Sequence, residues 1–338
     1  MAECPRAELG RRRAGGLMPL FRHRSEEDKD ADRQRAEAAE QAEQEAQESL
    51  RRIEAGGLPL AAEARLRELA SSEGKPRLFT SDLSVNEFTL LAGFGVQPLT
   101  QVMGSSIYNV GWQPVYYSVP TEVTVLSGAF NHCRSLAFKR LLDEAHLAAA
   151  DAVVGVRILQ GAHDWAARSI EFVAVGTAVR LPPHMHHPAG ETVLTDLSGQ
   201  EFVQLCKAGV RPVGIAAHTS VHYVPASWQT QRATTGGWGG ASWVNQELGD
   251  FTQGVYAARE KAVGTVVYQA EQLGADGIVG VQIDEHARTH SVRRNMVDCE
   301  DLEVTFHVMG TAIREDAALR SALAHSHDAH KPMTILSL

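Results

Sequence analysis

Two stretches of the chain are nearly the same text. Residues 82–98 read DLSVNEFTLLAGFGVQP and residues 196–212 read DLSGQEFVQLCKAGVRP, 114 positions apart, residue 82 against residue 196. Each has a serine followed three residues later by a glutamate: Ser84 and Glu87, Ser198 and Glu201. That is a capping box, in which the serine oxygen takes an orphan backbone N–H and the glutamate reaches back to the cap. Phe88, Leu90 and Leu91 in one copy, and Phe202 and Leu205 in the other, give a short helix its apolar face. Gly95 and Gly209 stand where such a helix ends in the left-handed conformation, and Pro98 and Pro212 forbid its continuation. Both copies then run into extended text, VQPLTQVMGSSIYNV and VRPVGIAAHTSVHYV.

The remainder of each unit repeats too. Residues 121–149 and 252–273 carry helical periodicity, with Leu136, Leu141, Leu142 and Ala145 in one and Val263, Val266, Val267 and Ala270 in the other. The helices end in AADAVVGVRI (149–158) and GADGIVGVQI (274–283), 125 positions apart, residue 151 against residue 276. The last strands, EFVAVGTAVR (171–180) and TFHVMGTAIR (305–314), are 134 apart, residue 176 against residue 310. Core elements therefore repeat while loops grow, eleven residues before the second long helix and nine before its final strand. Duplication followed by surface insertion gives this pattern. The expected class is α+β: two tandem repeats of a small antiparallel sheet packed with one short and one long helix. Gly155 and Gly280, inside β-branched strands, predict a bulge or a close backbone approach, and Gly176 and Gly310 the same.

The flanks differ in texture. Residues 1–24 are Arg- and Gly-rich and read as disordered. Residues 25–54 are dominated by Ala, Glu, Gln and Arg, with no large apolar residue before Leu50 and Ile53, and predict a charged helical arm. AGGLP breaks it, LAAEARLRELA forms a short amphipathic helix, and residues 71–77 are a linker. The boundaries that follow are 25–76 for arm and hairpin, 77–181 for repeat 1, 182–193 for a His/Pro-rich linker, 194–315 for repeat 2 and 316–338 for a flexible tail. In 338 residues with 44% apolar content, this leaves ample material for two cores. A net charge of −9 without a basic stripe excludes a general nucleic-acid binder. No run approaches the length that spans a bilayer. Four scattered cysteines without a C-x-x-C pair fit reduced thiols, and the chain reads as cytoplasmic.

The succession of a glycine-containing strand, a long helix, (A/G)AD(A/G)(V/I)VGV and a final VxGTA strand resembles the YbjQ-like domain family, whose name carries heavy-metal binding. The resemblance covers residues 80–181 and 194–315. It implies small sheet-plus-helix domains that assemble into rings, commonly pentamers, and it implies no established catalytic residues. The segment SLRRIEAGGLPLAAEARLREL resembles the short helical oligomerisation module called SHOCT.

Three places could bind a metal. His184, His186 and His187 in the linker can chelate zinc, nickel or copper, with Met185 adding a thioether; a proline-rich linker, however, supplies neither firm elements nor supporting contacts. His325, His327 and His330 form a looser group. Asp284 and His286 follow the matched strand of repeat 2, on the face opposite Glu285 by alternation. Repeat 1 has Leu159, Gln160 and Gly161 there, which confines any such site to repeat 2. Cys133, beside His132, and Cys206 read as small buried hydrophobes. Nucleophile elbows, P-loops and dinucleotide fingerprints are absent from the sequence. Trp238 and Trp243, in the Gly-rich stretch 234–243, are anchors for a partner or for the protein's own core.

Three functions follow: a non-catalytic homo-oligomeric binding or scaffold protein, a heavy-metal-binding protein using its His clusters, and an enzyme with an intersubunit small-molecule site. The first takes precedence, because the repeat is clear and catalytic motifs are missing. The final KPMTILSL carries Met333, Ile335, Leu336 and Leu338, and its alternation suits an extended segment docking in a groove or on a sheet edge. It resembles the C-terminal cargo-loading peptides of encapsulin shells, which carry a T-(I/V)-G-S-L core, with Leu336 standing at the glycine. The alternative is docking on the protein's own oligomer.

Overall fold

The computed structural model describes residues 26–71, 79–111, 117–161, 169–234, 245–294 and 296–327. The chain divides into two units, residues 1–49 and 50–338. The first unit contributes most of α1 (Glu26–Glu54), whose residues 33–47 are exposed on every side, as an Ala/Glu/Gln/Arg helix without large apolar residues must be. In the second unit Gly56, at φ +80°, ends that helix. α2 (Leu60–Ser71) follows, held by Arg52 on Glu63 at 2.9 Å, and Leu58 and Leu66 are buried.

Repeat 1 runs α3 (Val85–Gly93), β1 (Gln97–Asn109), β2 (Thr121–Glu122), α4 (Thr124–Leu147), β3 (Ala152–Gly161) and β4 (Ser169–Arg180). Repeat 2 runs β5 (Val193–Leu194), α5 (Gly199–Lys207), β6 (Val210–Val224), α6 (Trp228–Thr234), α7 (Gly249–Gln272), β7 (Gly277–Arg294) and β8 (Val297–Glu315), followed by α8 (Ala317–His327). Both capping boxes form, on Ser84 with Glu87 and on Ser198 with Glu201. Gly95 and Gly209 take the expected left-handed conformation, at φ +73° and +74°. The long helices α4 and α7 have 24 residues each and superpose in sequence at the 125-residue offset.

Each long helix lies on its own sheet along a stripe of mostly small residues at four-residue spacing. In α4 the stripe is Ala129, Cys133, Ala137, Leu141 and Ala145; in α7 it is Gly254, Ala258, Ala262, Val266 and Ala270. Small side chains let the helix backbone approach the strands closely. At the tightest point, a Cβ on Gly104 of β1 would lie 1.9 Å from the Ala137 carbonyl oxygen. Gly155 and Gly280 have φ of +64° and +65°, and each sits at a register shift in its strand, between Val154 and Arg157 and between Val279 and Gln282. The predicted bulges are there, and in matched positions.

The strand orders are β1-β4-β3-β5 and β2-β6-β8-β7. Each repeat therefore lends a short strand to the other's sheet. β2 of repeat 1 pairs antiparallel with β6 of repeat 2, and β5 of repeat 2 pairs parallel with β3 of repeat 1. The nine residues added before the final strand lengthen β7 and β8 to 18 and 19 residues, against 10 and 12 in β3 and β4.

Two expectations from composition need correction. The segment from residue 316 is not a flexible tail throughout. It opens with α8, where Asp316 accepts from the Leu319 N–H at 2.9 Å and Leu319 is buried in the core shared by α3, α5 and β3. The linker 182–193 is likewise fastened: residues Pro183–Met185 form a 3-10 turn, Val193 starts β5, and Arg211 donates to the Met185 and His186 carbonyls at 2.7 Å each. Residues 1–25, 72–78 and 328–338, and with them the segment expected to be disordered, the linker expected after α2 and KPMTILSL, lie outside the described residues.

Candidate functional site

The seam between the repeats carries a run of polar contacts from helix to strand. β6 is the strand of its sheet that turns its edge toward repeat 1, and its backbone groups there need partners. α4 supplies them one after another. The Val123 N–H donates to the Val221 carbonyl at 2.8 Å, and Ser127 Oγ accepts from the Val221 N–H at 3.0 Å. Asn131 accepts from the Thr219 N–H at 2.9 Å through Oδ1 and donates to the Thr219 carbonyl at 2.8 Å through Nδ2. Arg134 donates to the Ala217 carbonyl at 2.9 Å and to Thr219 Oγ1 at 2.6 Å, and also to Asn131.

Arg134 is buried, and its hydrogens go to the Ala217 carbonyl, the Thr219 hydroxyl and the Asn131 amide oxygen, all uncharged. Burial disfavours its charge and pushes its pKa down to about 10, still far above neutrality. Because Arg134 can only donate, Thr219 Oγ1 accepts from it, and the same hydroxyl is hydrogen-bonded to His307 Nδ1, 2.9 Å away. His307 Nε2 is buried without a hydrogen-bond partner among the described residues. Burial, with the charge of Arg134 next, pushes His307 down to about 4, so the imidazole is neutral at pH 7. Its ring lies edge-on to Phe130 of α4, with centroids 5.3 Å apart. These groups tie the two repeats together. A small cavity lined by Met185, His187, Phe202, Cys206 and Arg211 measures about 10 Å³, room for a single water, and a wider, open groove of about 430 Å³ is lined by Tyr117, Ser118, Val292, Arg293 and Arg294.

The sequence-predicted ligands distribute as follows. Asp284 and His286 share a face of β7, as alternation requires, with His286 Nε2 3.1 Å from Asp284 Oδ2, and both are exposed. The His286 ring stands 5.7 Å from that of His307. In the linker, His186 Nε2 is 2.9 Å from the Leu181 carbonyl and 3.5 Å from Asp151. His187 Nδ1 accepts from the Ala189 N–H at 3.3 Å, and burial, then Arg211, lower its pKa. His184 sits exposed in the 3-10 turn. Met185 is buried in the core, which removes its sulfur from any solvent-facing ligand set. Among the described residues no three His, Cys, Asp or Glu side chains are gathered to hold a metal ion. Cys133 and Cys206 are buried thiols, with burial raising both and taking Cys206 to about 12. His325 and His327 fall on α8, while His330, Trp238 and Trp243 lie outside the described residues. No described helix is long and apolar enough to cross a membrane.

Sequence reasoning missed Arg134, Asn131 and Thr219. The only signal was polar residues on a helix and strand whose counterparts in the other repeat are Arg259, Tyr256 and Ser105. It also missed Asp301, fully buried, which accepts from the Ala226 N–H at 2.9 Å and from Arg294 Nη1 at 2.8 Å and pins the lengthened hairpin.

Comparison with known proteins gives two findings. The YbjQ family profile, described as "Putative heavy-metal-binding", matches residues 96–182 and 240–316. A Mycobacterium tuberculosis protein named "Encapsulin nanocompartment protein" is 36% identical over 239 residues, which span 70% of this chain and 86% of that protein. No solved structure matches.

Proposed function

Because the chain belongs to the YbjQ family, here in tandem, we propose that it is a non-catalytic, homo-oligomeric scaffold that docks on the shell of an encapsulin nanocompartment in the cytoplasm. The observation that carries this reading is the 36% identity along 86% of a protein bearing the encapsulin nanocompartment name. Two features of the chain support it. The polar residues of the inter-repeat seam are spent on holding strands and helices together. The segment KPMTILSL offers four apolar side chains within six residues, Met333 to Leu338, a pattern that suits a peptide filling a hydrophobic groove or adding to a strand edge.

The test is co-assembly. The full chain and a variant lacking residues 332–338 are each expressed with an encapsulin shell protein, and the particles are isolated by size. The full chain is expected in the particle fraction and the shortened one outside it, with identical circular dichroism for both. A full chain that never enters the particle fraction overturns the reading. If both versions enter equally, shell docking does not run through residues 332–338.

A further inference from the structure

Sulfur and nitrogen donors that the sequence divides between the linker and α5 meet at one cavity. The space of about 10 Å³ is bounded by Met185 and His187 of the linker, Cys206 of α5 and Arg211 of β6, with Leu181 and Phe202 closing it. Met185 is 3% exposed and Cys206 2%, so both side chains lie inside the core that also holds Leu319 of α8. α5 sets the thiol there by its spacing, since Phe202, Val203 and Cys206 form its buried face. His187 is half-buried and is the donor nearest the surface.

One arginine holds the linker over this cavity. Arg211 donates to the Met185 and His186 carbonyls at 2.7 Å each, and to Asp316 Oδ2 at 2.9 Å. The first two bonds fix the backbone on which Met185 and His187 stand, and the third cancels the charge of the guanidinium. The Met185 N–H closes the 3-10 turn on the Pro182 carbonyl at 2.8 Å. A proline-rich stretch has no such support of its own; here β6 and α8 supply it, and it is contacts of this kind that hold a ligand set in place. Repeat 1 has no matching set, because Ala92 stands in the place of Cys206 and Gln97 in that of Arg211.

We infer that Met185, His187 and Cys206 form a buried site for copper(I). The donor set selects the ion. Zinc is held by thiolate, imidazole and carboxylate groups, four at a time, and a thioether is not among them. Copper(I) is soft, and thiolate and thioether are the donors it prefers. Calcium and magnesium need oxygen ligands, and no carboxylate lines the cavity among the described residues. Burial holds Cys206 as the thiol, while the Arg211 charge beside it favours the thiolate. Binding therefore exchanges one hydrogen ion for one copper ion: the S–H bond breaks, an S–Cu bond forms, and the charge of the cavity is unchanged. His187 Nδ1 accepts from the Ala189 N–H at 3.3 Å, a long bond on an exposed residue. Water replaces it when the ring turns its lone pair to the metal. The site goes beyond the scaffold reading and is independent of shell docking.

The test is a titration of the full chain with copper(I) in the absence of oxygen, in competition with the chromogenic chelator bicinchoninate. One copper per chain is expected, with a thiolate-to-copper absorption in the ultraviolet and one hydrogen ion released for each ion bound. Cys206→Ala is expected to lose both the absorption and the copper. Met185→Leu keeps the volume of the core and is expected to weaken binding by about tenfold or more, at least what a lost supporting contact costs a metal site. His184→Ala together with His186→Ala, and separately Cys4→Ser, are expected to bind as wild type does. Circular dichroism reads the fold of every variant. A folded wild type that retains no copper overturns the inference and leaves the cavity to a water. So does a folded Met185→Leu that binds as tightly as wild type, or copper that is lost with His184 and His186 and kept without Cys206. If Cys206→Ala does not fold, the absorption and Met185→Leu still decide.

Discussion

Arg134 shows how one side chain can hold two repeats. Its guanidinium gives the Ala217 carbonyl and the Thr219 hydroxyl their partners, and burial prevents water from replacing them. Truncation to alanine strands both acceptors, so Arg134→Ala is expected to cost about 2–3 kcal/mol in chemical denaturation. The neighbouring imidazoles set a pH dependence. His307 and His218 are each pushed down to about 4, by burial first and Arg134 second, with Asp284 opposing at His307 and Glu122 at His218. The unfolded chain takes up these protons near the ordinary value of 6.5, so between there and about pH 4 it binds more protons than the folded one. Stability is therefore whole above pH 6.5 and falls as pH drops through that window. Melting temperatures across pH 4–7 check it, and replacing both histidines with asparagine is expected to flatten the slope. None of this was legible in the sequence. A histidine in a strand reads the same whether it faces water or a phenylalanine from another repeat.

At the scale of elements, much more was legible. Capping boxes, left-handed glycines and bulges are local, because each is set by side chains within a few residues of the backbone they govern. The repeat itself supplied the two sheets and the two 24-residue helices. What the text concealed was exchange. β2 and β5 have two residues each, too short for a periodic signal, and their partners lie in the other repeat. α8 was hidden for a similar reason, since its cap, Asp316, is held by Arg211 from a distant strand at 2.9 Å. The helix stripe gives a sharp test. In Gly104→Ala the new Cβ would meet the Ala137 oxygen at 1.9 Å and the Leu141 nitrogen at 2.5 Å, backbone atoms that cannot rotate away. α4 would have to lift off β1, at an expected cost of about 3 kcal/mol or more. Gly128→Ala, on the same helix with open space at its Cβ, is expected to gain about 1 kcal/mol. Equal effects in thermal melts would contradict the close approach.

For the whole molecule, the reciprocal loan of β2 and β5 has a consequence of linkage. Each sheet has a strand that arrives from the other repeat, so neither sheet can come apart without undoing an edge of its neighbour. The two repeats are therefore expected to melt as one cooperative unit, read as a single transition in calorimetry.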